Sequence, residues 1–597
     1  MKLLHTSFKS GLGSVKLLIP NMIFMLIYLV ICLIISLPFN YSNFQLLYQE
    51  DGIPAGADAA FHTYSVLRIL DTGDPLITYS AFPSLVENSS SYYPSLMHLI
   101  QSAIVKTISF SLYPQGDVTL VIEVIKAFML GVSLAGTVGF ALVIRTLLEK
   151  GIKIRYYEQS LSSKRYQIIL LSVCILAFSI LIFSLSPIVK TYNDGTYAQI
   201  TAMWLFFPYY LYFLINRHWI VSGLLLGVIS STHNLGFIMS LSATLPYIIS
   251  LLVQRIRGLK LDLVKFVITF IAVALPSLIL FHIPSVLYVL NGEAAESVYT
   301  PWSQQIIIQQ ITPGLYYAGV FAIALCLILN YKAWGWIAGW SLIYLVVFSL
   351  SSTLGERFAR ELSVTFGLAV GICVAYLSSM FILSGLAWIK QPNVNLKGKL
   401  ISSRKTIISV TLLGSMTLIP YAYFHDRIQG ESNPIIVKYF TEAFEKSNLF
   451  LSTGSNNISI KPLLNEERVI ALFGDNPWLK VSTYGKFDVL SVSQDVPGSL
   501  GEGDRQINSE LNRLLLRPME NETACIVKKY NVGYLYISDQ INGRWYHPQS
   551  ENYYREMSLL SDDYFMPLFD LRANFSSSNG EHLRIFSPRI ERVNHIC

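Results

Sequence analysis

Long apolar runs alternate with short polar connections from the start of the chain to about residue 424. An α-helix needs roughly 20 mainly apolar residues to cross a bilayer, and these runs are about that long. The pattern predicts about eleven membrane spans, near residues 17–39, 118–148, 167–187, 198–216, 218–234, 236–254, 263–288, 311–331, 334–351, 363–389 and 407–424. Composition agrees, because 52% of the 597 residues are hydrophobic, only 14% are charged, and the mean hydropathy is +0.47.

Basic residues set the predicted orientation of these spans. The connections on one side carry Arg217, Arg255, Arg257, Lys260, Lys332, Lys390, Lys397, Lys399, Arg404 and Lys405. Lys and Arg concentrate on the cytoplasmic side of membrane proteins, so we expect this side and the N-terminus to be cytoplasmic. An odd number of spans then places the chain beyond residue 424 outside. The formal net charge of +6 fits contact with anionic membrane lipid, and nucleic acid is not expected as a partner.

The first outer connection, residues 38–117, contains one further apolar segment at residues 93–112. Counting this segment as a span would place the basic loop 149–166 outside, against the positive-inside rule. The segment also carries the polar residues His98 and Gln101. We therefore interpret it as a helix in the outer membrane interface, which leaves residues 38–117 as one long outer loop.

Beyond residue 424 the pattern changes to short apolar runs between polar segments. Strands are predicted at Arg468–Leu479, Lys486–Val492 and Asn531–Ser538, and helices at Gly503–Arg517 and Glu522–Tyr530. The predicted fold is thus a mainly α, polytopic transmembrane helical bundle at residues 1–424, followed by an extracytoplasmic α/β domain at residues 425–597. Cys525 and Cys597 lie in this domain, where a disulfide is chemically permitted. Their spacing alone does not show that they meet.

Motifs for nucleotide or zinc chemistry are missing from the sequence. It contains no P-loop, no G-x-G-x-x-G fingerprint, no C-x-x-C pair and no H-E-x-x-H. A nucleotide-driven pump and a zinc protease are therefore unsupported. The remaining chemistry is expected from polar groups of the outer loops.

The 38–117 loop contains the stretch D-G-I-P-A-G-A-D-A-A-F-H, from Asp51 to His62. If this stretch is helical, Asp58 and His62, four residues apart, lie on one face. A carboxylate there can act as a general base toward a hydroxyl, and the imidazole can orient it or bind an anion. Asp51 is the second candidate base. The structural alternatives are that Asp58 caps the following helix and that Asp51 and His62 are ordinary loop residues.

Other polar residues of the outer loops are candidate substrate contacts. Tyr93 and His98 flank a turn in S-S-Y-Y-P-S-L-M-H, Asp194 lies in T-Y-N-D-G-T-Y, and His233 lies in T-H-N. Polar groups at membrane depth are costly and usually line a cavity or pair with one another. The alternatives are a belt of interfacial aromatic residues for the tyrosines and a tight interhelical turn for T-H-N.

Two arginines, Arg357 and Arg360, lie in G-E-R-F-A-R-E on the predicted outer side, against the positive-inside rule. The planar guanidinium group binds phosphate through paired donors, so a lipid phosphate or diphosphate is a natural ligand. The alternative is local pairing with Glu356 and Glu361.

This combination resembles the GT-C superfamily of membrane glycosyltransferases, which use polyprenyl-phosphate-linked sugars. The resemblance rests on the acidic D-x-x-x-H segment, on Y-Y-P-S-L-M-H (Tyr92 to His98), on the many spans, and on K-K-Y-N-V-G-Y-L-Y-I (Lys528 to Ile537) in the outer domain. The second segment is similar to the H-P-P-L segment of protein mannosyltransferases and aminoarabinose transferases. Within the superfamily, the chain is most similar to largely bacterial members with an extracytoplasmic C-terminal domain.

The resemblance implies an inverting transfer of a sugar from a polyprenyl-phosphate donor to a cell-envelope glycan or lipid-linked acceptor on the outer side. It implies Asp58 as the base, with Asp51 in reserve, and Arg357 and Arg360 as ligands of the lipid phosphate. It implies no organic cofactor, and it leaves a divalent metal open. The chain lacks the paired prolines and D-E dipeptide of the mannosyltransferases and the W-W-D motif of oligosaccharyltransferases. The second absence puts transfer to sequon asparagines in question.

Other function classes fit the same pattern. A transporter or flippase for a lipid-linked glycan, or a polysaccharide polymerase, would use the basic residues for binding, and a transporter would need no base at Asp58. The paired halves that are typical of many transporters are not visible in the sequence. An assembly factor that binds partners through its outer domain would tolerate alanine at both Asp58 and Arg357.

Overall fold

The structure is a computed structural model that describes most of the membrane region and part of the C-terminal region. The described residues are 22–48, 57–73, 95–112, 118–156, 163–256, 258–283, 313–350, 355–390, 468–472, 488–492, 521–538, 567–576 and 582–597, with single positions at 54, 311, 446, 451, 479, 481, 510, 511, 513 and 514. Of the candidate site residues, Asp51 and Tyr93 lie outside these ranges.

The membrane region is helical throughout its described residues. Its helices are α1 (Met22–Ile35), α2 (Leu37–Leu47), α3 (Ala57–Thr72), α4 (Leu96–Leu112), α5 (Val118–Tyr156), α6 (Ser163–Phe183), α7 (Ser186–Asn193), α8 (Tyr197–Ile215), α9 (Trp219–Thr232), α10 (Asn234–Val253), α11 (Leu259–His282), α12 (Pro313–Leu350) and α13 (Gly355–Lys390). Two of them contain π-helical turns, α8 at Thr201–Phe206 and α11 at Leu278–His282.

Six of the described helices, α5, α8, α10, α11, α12 and α13, are long and apolar enough to cross a membrane. The number becomes seven if α1 and α2, which meet at a bend of 52°, form one span. Helix α9 and the apolar part of α6, Gln167–Phe183, are shorter. The mainly helical fold is thus confirmed, whereas the count of eleven spans stays a prediction. The span predicted at residues 407–424 lies outside the described residues.

Helix α12 contains the two spans that the sequence predicts at 311–331 and 334–351, joined at a kink. The backbone of Asn330 leaves the helical region there, with φ −158° and ψ 72°. Its side-chain oxygen accepts a hydrogen bond from the backbone N–H of Ala333 at 3.2 Å, which caps the helix that follows. Its Nδ2 donates to the carbonyl oxygen of Gly151 at 3.2 Å, which ties the kink to α5.

Close packing of α13 on α6 positions the arginine-bearing end of α13. A Cβ atom added at Gly371 would lie 2.7 Å from the carbonyl oxygen of Ala177. One added at Gly367, a turn earlier, would lie 2.8 Å from the Cβ of Ser184. Small residues allow helix backbones in membranes to approach this closely. The first turns of α13 are thereby held beside α7.

Five described strands of the C-terminal region form one mixed sheet. They are β1 (Arg468–Leu472), β2 (Asp488–Val492), β3 (Val532–Ser538), β4 (Phe569–Ser576) and β5 (His582–Pro588), in the order β2-β1-β3-β5-β4. The β1–β2 and β1–β3 pairs are parallel, and the β3–β5 and β4–β5 pairs are antiparallel. Helix α14 (Asn521–Lys529) precedes β3, and α15 (Ile590–Ile596) follows β5. The three predicted strands are present, and β4 and β5 are additional.

Both faces of the central strand β3 are buried, and its alternate residues point to opposite faces. On β3, Leu535 and Ile537 belong to a core that also contains residues of α14 and α15. Tyr534 and Tyr536 point the other way and belong to the same apolar core as the membrane helices. A disulfide joins Cys525 of α14 to Cys597, with a Cα–Cα distance of 5.3 Å. It links the last residue of the chain to the helix that precedes β3.

Candidate active site

An aspartate and an arginine from distant parts of the chain face each other at the ends of α3 and α13. Asp58 lies inside the first turn of α3, so it is part of the helix and does not occupy the cap position before it. Its Oδ2 lies 4.0 Å from Nη2 of Arg357, in the first turn of α13. The Arg357 side chain is 40% exposed and that of Asp58 36% exposed. This ion pair is therefore loose and open to a ligand.

A second arginine–aspartate pair lies beside the first and is much more buried. Nη1 of Arg360 donates to Oδ2 of Asp194, and only 7% and 17% of the two side chains are exposed. Asp194 follows α7, in a turn completed by Gly195, whose φ of 75° favours glycine. Because Arg357 and Arg360 are three residues apart, they lie on one face of α13. Each arginine therefore has a long-range aspartate partner, in addition to the local glutamates that the sequence suggested.

The surroundings of Asp58 change its protonation. Burial raises the pKa of the Asp58 carboxyl to about 6, while the positive charge of Arg357 lowers it and the negative charge of Asp194 raises it. The side chain keeps an accessible edge, but protein around the carboxyl removes most of the water that would stabilise its charge. A carboxyl group with this pKa is mostly ionised at neutral pH and is a stronger base than an ordinary aspartate.

Two histidines connect the helix of Asp58 to its neighbour. Nδ1 of His62 lies 2.8 Å from Nε2 of His98, and the two side chains are buried, with 2% and 0% of the residues exposed. The His62 ring also stacks on Tyr197, with ring centres 5.8 Å apart. Burial lowers the pKa of His62 well below its ordinary value and that of His98 to about 3. Both rings are therefore neutral at physiological pH, and their hydrogen bond joins α3 to α4 one turn from Asp58.

His233 occupies the tight turn between α9 and α10. Its Nδ1 accepts a hydrogen bond from the backbone N–H of Gly236 at 3.1 Å, so it caps α10, and it is 4% exposed. The interhelical turn considered for T-H-N is therefore present. Burial, and to a smaller extent the positive charge of Arg357, lowers the pKa of His233 to about 3, and the same charge lowers that of His62.

The structure thus brings most of the sequence candidates together. Asp58 pairs with Arg357, and Asp194 pairs with Arg360. The three histidines are buried: His62 contacts His98, and His233 caps α10. Their roles as base or substrate contacts remain predictions, and so do those of Asp51 and Tyr93.

Gln199 and Glu361 are buried polar residues that sequence reasoning did not place in the site. They are 1% and 3% exposed, Gln199 lies on α8, and Glu361 follows Arg360 on α13. The available signal is an amide and a carboxyl within apolar runs, where polar groups usually pair or serve a function.

Metal-ligating side chains do not cluster in the described part of the chain: no group of three or more His, Cys, Asp or Glu side chains there could hold a metal ion. The carboxylates of Asp58 and Asp194 each face an arginine, and a guanidinium group repels a divalent cation at this distance. The positive charge in the site is supplied by the two arginines.

The same fold occurs in the oligosaccharyltransferase of the archaeon Archaeoglobus fulgidus. Its apo structure is similar with a TM-score of 0.57, at 11% sequence identity over 94% of this chain and 74% of that protein. Its structure tethered to an acceptor peptide with an NVT sequon gives a TM-score of 0.54, at 11% identity over 94% and 73%. Its complex with an inhibitory peptide and a dolichol-phosphate gives 0.52, at 11% identity over 94% and 74%.

Sequence comparisons do not identify the chain. No protein-family model matches it, and no curated protein matches it in sequence. At 11% identity, the structural likeness establishes the fold alone. It confirms the GT-C architecture that the sequence motifs predicted.

Proposed function

We propose that this chain, which has the GT-C fold, is a membrane glycosyltransferase that moves a sugar from a polyprenyl-phosphate-linked donor to a hydroxyl-bearing glycan or lipid-linked acceptor. The observation that carries the proposal is the Asp58–Arg357 pair, with its 4.0 Å separation and its partly exposed side chains. It combines a carboxylate base and a phosphate-binding cation at one accessible place. A phosphate-linked sugar already carries its leaving group, so the reaction needs no nucleotide site.

In the proposed reaction, Asp58 is the general base. The acceptor oxygen attacks the anomeric carbon of the sugar while its proton passes to the Asp58 carboxylate. The bond from the anomeric carbon to the phosphate oxygen breaks, and both of its electrons leave with the polyprenyl phosphate. A single displacement of this kind inverts the configuration of the anomeric carbon.

The two arginines have different proposed roles, which follow from their exposure. Arg357 is accessible and only loosely paired, so it can turn its guanidinium donors toward the departing phosphate. It also lies in the first turn of α13, where the helix dipole favours an anion. Arg360 is buried against Asp194, and we assign it to holding α13 in place. This differs from the sequence-based expectation that both arginines bind phosphate.

We also propose how the chain is oriented in the membrane. The site lies on the extracytoplasmic side, the N-terminus lies in the cytoplasm, and residues 425–597 form an extracytoplasmic α/β domain around the five-stranded sheet. That domain lies close to the membrane bundle, since one face of its sheet shares the apolar core of the helices. Its proposed role is to contact the acceptor.

Donor and acceptor class are proposed from chemistry, together with the neighbouring structures. One structure of the archaeal enzyme is a complex with a dolichol-phosphate, and another is tethered to an acceptor peptide with a sequon. The phosphate chemistry of that lipid matches Arg357, and we carry over the polyprenyl-phosphate donor. We do not carry over the sequon acceptor, because this chain lacks the W-W-D motif.

The proposal is tested by sugar transfer in membranes that contain the protein. Radiolabelled sugars on polyprenyl phosphate are offered as a panel, and incorporation into endogenous acceptors is compared for the wild type, Asp58→Asn and Asp262→Asn. Asp262 is a matched control, because it also lies in the first turn of a helix and pairs with a basic side chain, Lys265.

We expect one donor of the panel to give transfer in the wild type and in Asp262→Asn, with at least a hundredfold loss in Asp58→Asn at equal protein level. If no donor gives transfer and lipid-linked glycan fails to cross the membrane without the protein, the chain is a transporter. Transfer that persists in Asp58→Asn would remove Asp58 from the mechanism.

A further inference from the structure

A small, mainly apolar cleft that contains one arginine and one glutamine lies between α1, α5 and α6, at the other end of the bundle from the Asp58–Arg357 pair. Its lining contains Arg145 and Gln167 together with Tyr28 and apolar residues of α1 and α6. The cleft is shallow. Its empty volume, which includes solvent space at its opening, is about 210 Å³. It uses none of the residues of the proposed active site.

The position of the cleft follows from the antiparallel packing of α1 and α2 against α5. Near the active-site end, Lys126 of α5 lies over the ring of Tyr48, 5.1 Å from its centre. Further along, the hydroxyl of Tyr28 donates to the carbonyl oxygen of Ala141 at 2.9 Å. Arg145 is one turn beyond, about 40 Å from the start of α5 at 1.5 Å per residue. It is also about 10 Å from Ile152, where the apolar span ends.

Arg145 has no carboxylate partner among the described residues. Its one side-chain hydrogen bond there runs from Nη1 to Sδ of Met25, at 2.7 Å. A thioether sulfur is a weak acceptor, and a guanidinium group has five N–H donors. Most of the hydrogen-bonding capacity of this charged group is therefore unused within the described chain.

Gln167 adds an amide to the same cleft. Its side chain is half-buried, and it forms no hydrogen bond with the described part of the protein. Between apolar helices, an arginine and a glutamine with so few hydrogen bonds to the described residues are unfavourable unless a further group bonds to them. The missing partner must be an acceptor, preferably an anionic one.

We propose that this cleft binds the phosphate group of an anionic phospholipid. Phosphate matches the paired donors of the Arg145 guanidinium, and the Gln167 amide supplies a further donor. The charge of Arg145 and the apolar walls of the cleft together fit a lipid whose chains lie along α1 and α6. Basic clefts between membrane helices recognise anionic lipid headgroups by the same chemistry. The bound lipid would hold α1 and α6 against α5.

The test uses the full-length protein, purified in a neutral detergent, with dioleoyl phosphatidylglycerol as the probe. Native mass spectrometry counts the lipid molecules retained as the lipid is titrated, for the wild type, Arg145→Gln and Lys260→Gln. Lys260 is a control, because it is an exposed basic residue on the same predicted side. A second titration uses inorganic phosphate without lipid, with the shift in melting temperature as its readout.

We expect the wild type and Lys260→Gln to retain one tightly bound phosphatidylglycerol, and Arg145→Gln to bind it roughly tenfold to hundredfold more weakly. That is the loss expected for one charge-assisted contact. Arg145→Lys should recover part of the affinity, which separates recognition of phosphate from a folding defect. Equal retention by Arg145→Gln and the wild type would overturn the proposal. So would stabilisation by inorganic phosphate that equals the effect of the lipid, because the site would then bind a free anion.

Discussion

At the scale of single residues, the raised pKa of Asp58 predicts how the transfer rate depends on pH. The base must be ionised, and burial raises the pKa of Asp58 to about 6. The transfer rate should therefore rise about tenfold between pH 5 and pH 7 and level off above that range. Because Arg357 lowers this pKa, Arg357→Gln should move the rising limb to higher pH. Single-turnover transfer across pH measures both effects.

The exposed Arg255 gives a control for this experiment. Arg255→Gln removes the same charge far from the site. The rising part of its pH–rate curve should therefore lie at the same pH as in the wild type. A limb that stays in place in Arg357→Gln would mean that the rate does not report the titration of Asp58.

The buried Arg360–Asp194 pair should contribute more to the free energy of unfolding than the exposed Arg357–Asp58 pair does. Removing one partner leaves a buried charge unpaired, so Arg360→Gln should lower the free energy of unfolding by about 3 kcal/mol. Arg357→Gln breaks a loose, exposed pair and should lower it by less than about 1 kcal/mol. Thermal unfolding in detergent compares the two variants. The double variant Arg360→Gln, Asp194→Asn should be less destabilised than the sum of the single changes, and simple additivity would argue against a direct pair.

At this scale the sequence predicts the residues but not their partners. The acidic loop segment and the misplaced arginines identify Asp58, Asp194, Arg357 and Arg360 as chemistry-bearing residues. The pairing of each arginine with an aspartate from a different outer connection depends on how α3, α7 and α13 meet, and no local pattern encodes that. The local alternative, pairing with the neighbouring glutamates, was equally consistent with the sequence.

At the scale of elements, the closest contact that positions the site is the packing of α13 on α6. Gly371→Val should destabilise the protein by about 1–3 kcal/mol, because its Cβ would lie 2.7 Å from a backbone oxygen that cannot move aside. Gly131, within α5, has nothing within 4 Å of an added Cβ. Gly131→Ala should therefore be neutral or slightly stabilising. Melting temperatures of the two variants check the contrast, and equal melting temperatures would show that α13 does not depend on this contact.

Element prediction succeeds where the periodicity is strong. Helices α5, α6 and α8 to α11 lie close to their predicted spans, because long apolar runs leave few alternatives in a membrane. The kink in α12 follows from the capping side chain of Asn330. Strands β4 and β5 escape prediction even though Phe569–Ser576 alternates apolar and polar residues. Strand β4 has a polar or charged residue at every second position, and β5 is a run of seven residues that contains His582 and Arg584; such short mixed runs also suit a loop.

At the scale of the whole molecule, the disulfide joins the C-terminus to the sheet. Cys525 and Cys597 close a loop with a sequence separation of 72, for which the chain-entropy model gives about 4 kcal/mol of stabilisation. The double variant Cys525→Ser, Cys597→Ser should therefore be cleaved sooner by a protease in the C-terminal region. The wild type treated with a reductant is the control and should behave in the same way. Unchanged protease resistance in both would mean that the disulfide does not stabilise the sheet.

Local sequence patterns predict only part of the molecular architecture. Hydropathy predicts a helical membrane bundle, and the short motifs correctly indicate the GT-C fold. The contact between the sheet and the bundle involves Tyr534 and Tyr536. The sequence pattern predicts only that these two residues belong to a strand. Their burial against a second core depends on tertiary packing, which a single sequence does not reveal.

The central claim is that Asp58 removes the acceptor proton in a sugar transfer that inverts the anomeric centre. The most direct measurement is single-turnover transfer by the purified protein from a polyprenyl-phosphate sugar, with the product configuration read by NMR. We predict an inverted product from the wild type, and a rate at least a hundredfold lower in Asp58→Asn with unchanged donor binding. A product of retained configuration, or an Asp58→Asn rate equal to that of the wild type, would contradict the account.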